Sequence, residues 1–338
     1  MSTTSGVFSE TLIQTLYKKA SDVAFDSRIN QQFIPQIEAL KALAAIQGGR
    51  ILEGVPALKD GDVALIWDNF CNIIADTNTG CEFPTTKSST NSEIYTVTWE
   101  KMAGFQLDEA DFDNNMASME EHYAKASLMA EKVLVEAFTQ YVIGKLNTFK
   151  GVNVVSTGLG TVVGTDTYVL SNLFNAAMIP YISRVAQLNQ MVSPIFLTGN
   201  NLWESYYAAK FNALDKTQEN LYNQLRLNFD LVNIDSVNSP DYVSYLISQG
   251  SIALLNKWYN KPTVETSEEG QRWSVNGILF PQFKFDVFKK TVCDTGTNDR
   301  WSTVVKYKLK ADIVLNPTGC SATNTGLLSF ICGAVPEV

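Results

Sequence analysis

Apolar side chains at Phe112, Met116, Met119, Tyr123, Ala126, Ala130, Val133, Ala137 and Tyr141 recur at three- and four-residue intervals, the spacing of one face of an α-helix. The run from Asp108 to about Asn147 contains no proline and is predicted as one long helix. Asp108 would cap it, Glu109, Asp111 and Asp113 would occupy the first turn where the helix dipole favours negative charge, and Gly151 lies beyond its end. At 1.5 Å per residue the helix would be roughly 55–60 Å long, about twice the diameter of a small domain. Such an element is a strut. Its apolar stripe widens after Lys125 through Leu128, Met129, Leu134, Phe138 and Val142, so the second half is expected to be wrapped on more sides. The exposed half is expected to meet another element or another subunit.

Before the strut, Phe8, Leu12, Ile13, Leu16, Tyr17 and Ala20 predict one amphipathic helix, and Phe33, Ile34, Ile37, Leu40, Leu43 and Ala44 a second. Val63–Trp67 and Ile73–Ala75 are apolar enough for either a strand or a buried helix. Residues 76 to 93 hold Phe83 as their only large apolar side chain; such a stretch cannot offset its ordering entropy with a core of its own and should project as a loop. The alternation of Tyr95, Val97 and Trp99 against Thr96, Thr98 and Glu100 then predicts a strand over 94–102. A polar excursion that returns on a strand is an arm, its flanking strands the stalk of a hairpin.

After the strut come a Gly-rich turn around residues 158–164, a helix from about Ser171 to Leu188, a short buried strand within 194–199, and a helix carrying Leu202, Trp203, Tyr206 and Tyr207 capped by Asn200 or Asn201. Residues 225–237 alternate, and 241–258 suit a further helix or strand, so this middle stretch reads as mixed α/β. From Thr263 strands dominate. Phe283, Phe285 and Val287 share one face of a strand, and Val305, Tyr307, Leu309, Ala311 and Ile313 answer it across a turn, an antiparallel pair. Residues 326–334 predict a closing strand.

Composition narrows the function classes. The 338 residues are 45% hydrophobic and 18% charged, an ordinary folded protein that can bury one large core or two modest ones; two subdomains on one strut is the expectation. A net charge of −9 argues against a dedicated nucleic-acid binder, which needs a basic face. No apolar run is long enough to span a bilayer, and the first residues lack the charge and apolar pattern of a signal peptide; a soluble protein not exported by that route is expected. Cys71, Cys81, Cys293, Cys320 and Cys332 contain no CxxC pair. Free thiols are favoured over Cys71–Cys81 or Cys293–Cys320 bridges.

No catalytic constellation emerges. Gly158, Gly160 and Gly164 miss the dinucleotide-loop spacing by one residue, and no acid lies between Asp166 and Glu204. Gly144–Lys145 lacks the other residues of a phosphate loop. His122 is the single histidine and reads as solvated among Glu120, Glu121 and Lys125. The acids at the start of the strut lack calcium-loop spacing. Lys306, Lys308 and Lys310 share a strand face; they suit either a phosphate contact or protection of a strand edge. No cofactor and no metal site are expected.

The order of helical arm, polar loop, long strut, α/β middle and terminal strands resembles the major capsid proteins of tailed double-stranded DNA phages, the Hong Kong 97-type fold. Residues 81–112, CEFPTTKSSTNSEIYTVTWEKMAGFQLDEADF, look like the extended loop running into the spine helix in capsid proteins of phages of Bacteroidetes hosts, crAss-like ones among them. VKYKLKADIVLNPTGC and GLLSFICG look like peripheral strands of that fold. The resemblance implies an α+β fold with a helical N-arm over 1–50, the extended loop and its stalk over 51–107, the spine helix over 108–151, an axial domain over 152–262 and peripheral strands over 263–338. It implies scaffolding by a separate protein or by a segment cleaved beforehand.

Self-association is therefore the expected function: hexamers and pentamers closing an icosahedral head around packaged DNA, which is held by weak non-specific contact. Portal, scaffolding and decoration proteins are the other expected partners; no membrane is involved. Phe83, Pro84, Thr85, Thr86, Tyr95 and Trp99 are the candidate assembly contacts, the arm clasping a neighbour. The competing readings are a soluble α/β enzyme with a site around Asn200–Tyr207 and another phage structural protein of decoration or tail type.

Overall fold

The computed structural model describes residues 35–52, 62–69, 89–108, 119–154, 159–170, 178–197, 242–259, 265–267, 270–294, 300–316 and 325–335. The expected first helix, the stretches Ile73–Ala75 and 200–237, most of the projecting loop and the turn at 295–299 lie outside them. The described elements are mixed α and β with strands predominating. They divide between two units interleaved along the chain: 1–37, 97–138 and 256–312 form one, and 38–96, 139–255 and 313–338 the other.

In the first unit β4 (Trp99–Asp108), β11 (Gly270–Asn276), β12 (Lys284–Asp294) and β13 (Arg300–Leu315) form an antiparallel sheet in the order β11-β12-β13-β4, with the short β10 (Glu265–Ser267) beside β11. The expected pairing across the 295–299 turn is present, with Val287 opposite Tyr307 and Lys289 opposite Val305. Alternation places Phe285, Val287, Val305, Tyr307 and Leu309 on one buried face. The first half of α2 (Met119–Phe149) packs there: Tyr123 meets Phe105 edge-on at 5.6 Å, and Phe138 meets both Trp99 and Phe283.

The helix differs from its expected form at one buried position. Asp108 ends β4 opposite Ser302, the described helix runs from Met119, and the start expected between 109 and 118 lies outside the described residues. Tyr123 and Ala130 of the expected stripe are buried, as are Leu128, Leu134, Phe138 and Val142 of its expected widening, whereas Val133 is 51% exposed and Met129 46%. The unexpected member of the buried face is Glu131. Only 2% exposed, its carboxylate accepts backbone N–H groups from Ile278 (2.9 Å), Leu279 (2.8 Å) and Phe280 (3.4 Å). A charged residue in the middle of a seam can be buried when it takes up donors that the turn would otherwise leave unsatisfied. Gly277 completes the fit, since a Cβ there would stand 2.7 Å from Glu131 Oε1 and 2.5 Å from the Phe280 carbonyl oxygen.

The second unit holds two sheets. One is β1 (Arg50–Leu52), β2 (Asp62–Asn69) and β3 (Ser89–Thr96), all antiparallel, so Val63–Trp67 is a strand. The other runs in the order β5-β6-β14-β8-β7, built from β5 (Gly160–Val163), β6 (Asp166–Val169), β7 (Ile195–Leu197), β8 (Tyr242–Ile247) and β14 (Leu327–Cys332), with β14 parallel to β6. Residues 241–258 thus form strands, β8 and then β9 (Ile252–Lys257). Leu327–Cys332, grouped by sequence with the strands after 263, pairs with β6 and β8 instead. The amphipathic α3 (Met178–Leu188) covers this sheet with Met178, Ile182 and Val185 against Phe196, Leu246 and Phe330. α1 (Pro35–Ala45) buries Leu40 and Leu43.

Burial also governs polar groups here. Asn189 Nδ2 donates to Asn153 Oδ1 at 3.0 Å, and Asn153 Nδ2 to Thr167 Oγ1 at 3.1 Å. Lys150 donates to both oxygens of Asp166 at 2.7 and 2.8 Å, and Ser329 Oγ donates to the same carboxylate at 2.6 Å. These bonds tie the end of α2 and the α3 terminus to β6 and β14.

The Glu131 clamp generates a stability test. Burial pushes its carboxyl up to about 7, against the three N–H donors, which favour the ionised form. Because this folded-state value exceeds the unfolded 4.5, the folded chain binds more protons between the two; the contribution is complete below about 4.5 and is lost as pH rises through about 7. Glu131→Ala should cost roughly 3 kcal/mol or more by stranding buried N–H groups. Chemical denaturation of wild type and Glu131→Gln across that range should show wild type losing stability relative to the variant as pH rises.

Candidate functional site

Among the described residues no group of His, Cys, Asp or Glu is arranged to hold a metal ion, and no described helix is long and apolar enough to cross a membrane. Cys293 and Cys332 form no disulfide among the described residues, and Cys332 is buried. His122 is exposed on α2. Gly164, with φ of +62°, makes the tight turn of the antiparallel β5–β6 hairpin; no helix follows the glycines directly, as a nucleotide loop would require.

The ladder of β2 and β3 flanks the stretch expected to project as an arm, most of which lies outside the described residues. Eight residues of each strand pair, from Asp62 opposite Thr96 to Asn69 opposite Ser89. Asn69 and Ser89 thus stand side by side at the end of the ladder. Tyr95 is half-buried here: Trp67 Nε1 donates to its hydroxyl at 3.2 Å, and the hydroxyl donates to Glu93 Oε2 at 2.6 Å. Burial first, and then the Glu93 hydrogen bond, push its pKa up to about 12. On the alternate face Ile94 is 65% exposed. Phe83, Pro84, Thr85 and Thr86 lie outside the described residues.

The single strand expected over 94–102 is two strands. The first ends at Thr96 and the second starts at Trp99; between them Thr98 donates through its backbone N–H (3.0 Å) and hydroxyl (2.8 Å) to Asp312 Oδ2. Tyr95 and Trp99 consequently belong to different sheets and to different units. The Trp99 ring meets Phe138 edge-on at 5.1 Å, with the Lys101 ammonium 5.9 Å from its centroid.

The three lysines of β13 do not guard an edge, because β13 lies between β12 and β4. Lys308 pairs with Glu100 at 2.7 Å, and Lys310 reaches the same carboxylate at 4.0 Å. Exposed Val133 escaped the sequence reading, since periodicity cannot rank two apolar faces of a helix when one of them includes a buried acid.

No protein-family model matches the chain, and no curated protein matches it. Solved structures that match include Mycobacterium phage Adephagia, 11% identical over 94% of this chain and 98% of that chain with a TM-score of 0.45. The capsid structure of the cyanophage P-SCSP1u is 8% identical over 82% and 85% with a TM-score of 0.45. A virus-like particle from Pyrococcus furiosus is 8% identical over 94% and 98%, also with a TM-score of 0.45. With TM-scores below 0.5 these likenesses carry no argument, and the functional reading rests on the chain's own elements.

Two substitutions separate intramolecular from intermolecular duty. Trp99→Ala should lower the melting temperature of the isolated chain, costing roughly 2–3 kcal/mol for a partly buried ring. Tyr95→Phe should cost about 1 kcal/mol, the value of one hydrogen-bond bridge. If Trp99→Ala leaves melting unchanged and removes only self-association, the ring serves a neighbour.

Proposed function

We propose that the chain is the major capsid protein of a tailed double-stranded DNA phage, a structural protein without catalytic activity that assembles into the phage head. The observation that carries this reading is the β2–β3 ladder. Its strands are held in register at Asn69 and Ser89 while the polar stretch between them leaves and returns, and the chain then runs through β4 into the long α2. That order supports the assignment of arm, spine helix and strand-rich domain made from the sequence. The unit with β4 and β10–β13 corresponds to a peripheral domain, the unit with β5–β8, β14 and α3 to an axial domain, and residues 1–50 to an N-arm. The texture of residues 81–112 supports kinship with capsid proteins of phages of Bacteroidetes hosts.

In this reading the tip with Phe83, Pro84, Thr85 and Thr86 docks on a neighbouring subunit. Within its own stretch Phe83 has no other large apolar side chain to bury against, and burying one such ring contributes roughly 1.5–3 kcal/mol. Repetition at every subunit makes a small contact decisive. Copies assemble as hexamers and pentamers in the host cytoplasm, with scaffolding, portal and decoration proteins, and the packaged DNA touches the shell weakly.

Deleting residues 78–91 with a Gly-Ser bridge, or introducing Phe83→Ala, should leave monomer melting nearly unchanged and abolish or weaken particle formation. Thermal unfolding and sedimentation of the same variant check both. Unfolding of the monomer would show the stretch to be core-bound. Wild-type particle yield would remove the clasp, and a wild-type chain that stays monomeric with scaffolding and assembly-promoting salt would remove the capsid reading.

A further inference from the structure

We propose that the face of the β4–β13–β12 sheet turned away from α2 is a docking surface for a second copy of this chain; this rests on the self-assembly reading above. Register places Gly104, Lys306 and Phe288 in one row across the three strands, Gln106, Val304 and Lys290 in the next, and Met102 beside Lys308 on the other side. Lys290 and Lys306 are both exposed, and among the described residues no acid pairs with either. Gly104 shapes the centre: a Cβ there would meet Lys306 Cγ at 2.9 Å and the Val305 carbonyl oxygen at 2.8 Å. The lysine stem therefore lies flat across the glycine, and its ammonium stands on an open surface.

On this face Glu100 answers Lys308 and Lys310, and Arg272 answers Asp286, which leaves Lys290 and Lys306 as a local cationic pair in a chain whose net charge is −9. Copies of so acidic a chain repel one another unless a local basic face offsets that repulsion. The face has apolar content as well. Met102 is 53% exposed and Val292 41%, on the same side as the lysines because Met102 pairs with Lys308 and Val292 with Ser302. Phosphate backbones recognise lysine ammonium groups and have no use for a methionine or valine beside them, whereas protein interfaces combine the two. The combination of exposed apolar side chains, unpaired lysines and an acidic chain identifies the occupant as another copy.

The test uses Lys290→Glu/Lys306→Glu in the full chain, the neutral Lys290→Gln/Lys306→Gln, and Lys125→Glu/Arg184→Glu as a charge-matched control at exposed positions elsewhere. Onset of assembly is followed by light scattering against protein concentration, melting by circular dichroism, and duplex binding by anisotropy of a labelled DNA at the same salt. The reversed pair should melt like wild type and raise the onset concentration roughly tenfold or more, with the neutral pair between and the control near wild type. Should the reversed pair fail to fold, the neutral pair decides by the same shift in smaller measure. Assembly of the lysine variants at the wild-type concentration overturns the inference while leaving the capsid reading intact. An equal loss in the control, or loss of DNA binding with assembly unchanged, also overturns it. A wild-type chain that does not self-associate at all overturns the capsid reading and this inference with it.

Discussion

One buried carboxylate fixes how the strand-rich unit is built. Glu131 sits in the seam of α2 with three backbone N–H groups of the Ile278–Phe280 turn on its two oxygens. That set of bonds determines which face of the helix turns inward, because a buried acid tolerates only a position where donors converge on it. With Glu131 placed, Phe138 and Tyr123 are brought onto Trp99, Phe283 and Phe105. Val133 is left in solvent on the other side. The turn gains the order that lets Phe280 and Phe283 stack edge-on at 4.7 Å.

The same economy of polar groups recurs at the ends of strands. Asp312 receives both donors of Thr98 where the chain passes from β3 to β4. Asp286 accepts from Ser274 at 2.7 Å and from the Tyr259 backbone at 2.9 Å. Asn256 exchanges two hydrogen bonds with the backbone of Lys284 and donates a third to Lys310. Each closes a junction between strands, and by alternation Asp286 lies on the same sheet face as Phe288 and Lys290. That face therefore carries satisfied acids beside Lys290 and Lys306, and under the proposed self-assembly those two lysines are what it leaves for a neighbouring copy.

Much of the architecture was legible from pattern alone, and the failures share a cause. The strands at Lys284–Asp294, Arg300–Leu315 and Leu327–Cys332 alternate or run apolar strongly enough to be read directly. The long helix was legible in kind and in most of its buried face, Tyr123, Leu128, Ala130, Leu134, Phe138 and Val142 among it. Ranking by hydrophobicity selects Val133 over Glu131, and only the tertiary partner at residues 278–280, remote in sequence, reverses that choice. Asp108 resembles a helix cap locally, and ten strand residues that pair across to β13 carry it to the end of β4; the helix start expected after it lies outside the described residues. The break at Val97–Thr98 depends on Asp312, more than two hundred residues away. Of the candidate contacts, Tyr95 and Trp99 are placed in two different sheets, a separation that alternation through Val97 conceals.

The central claim is that this chain builds a closed shell. Electron cryo-microscopy of particles formed by the purified chain, with scaffolding supplied, tests it most directly. The account requires icosahedral particles of hexameric and pentameric clusters, with density for residues 70–88 lying on an adjacent subunit. Homogeneous monomers, or particles in which that density stays on its own subunit, would contradict it.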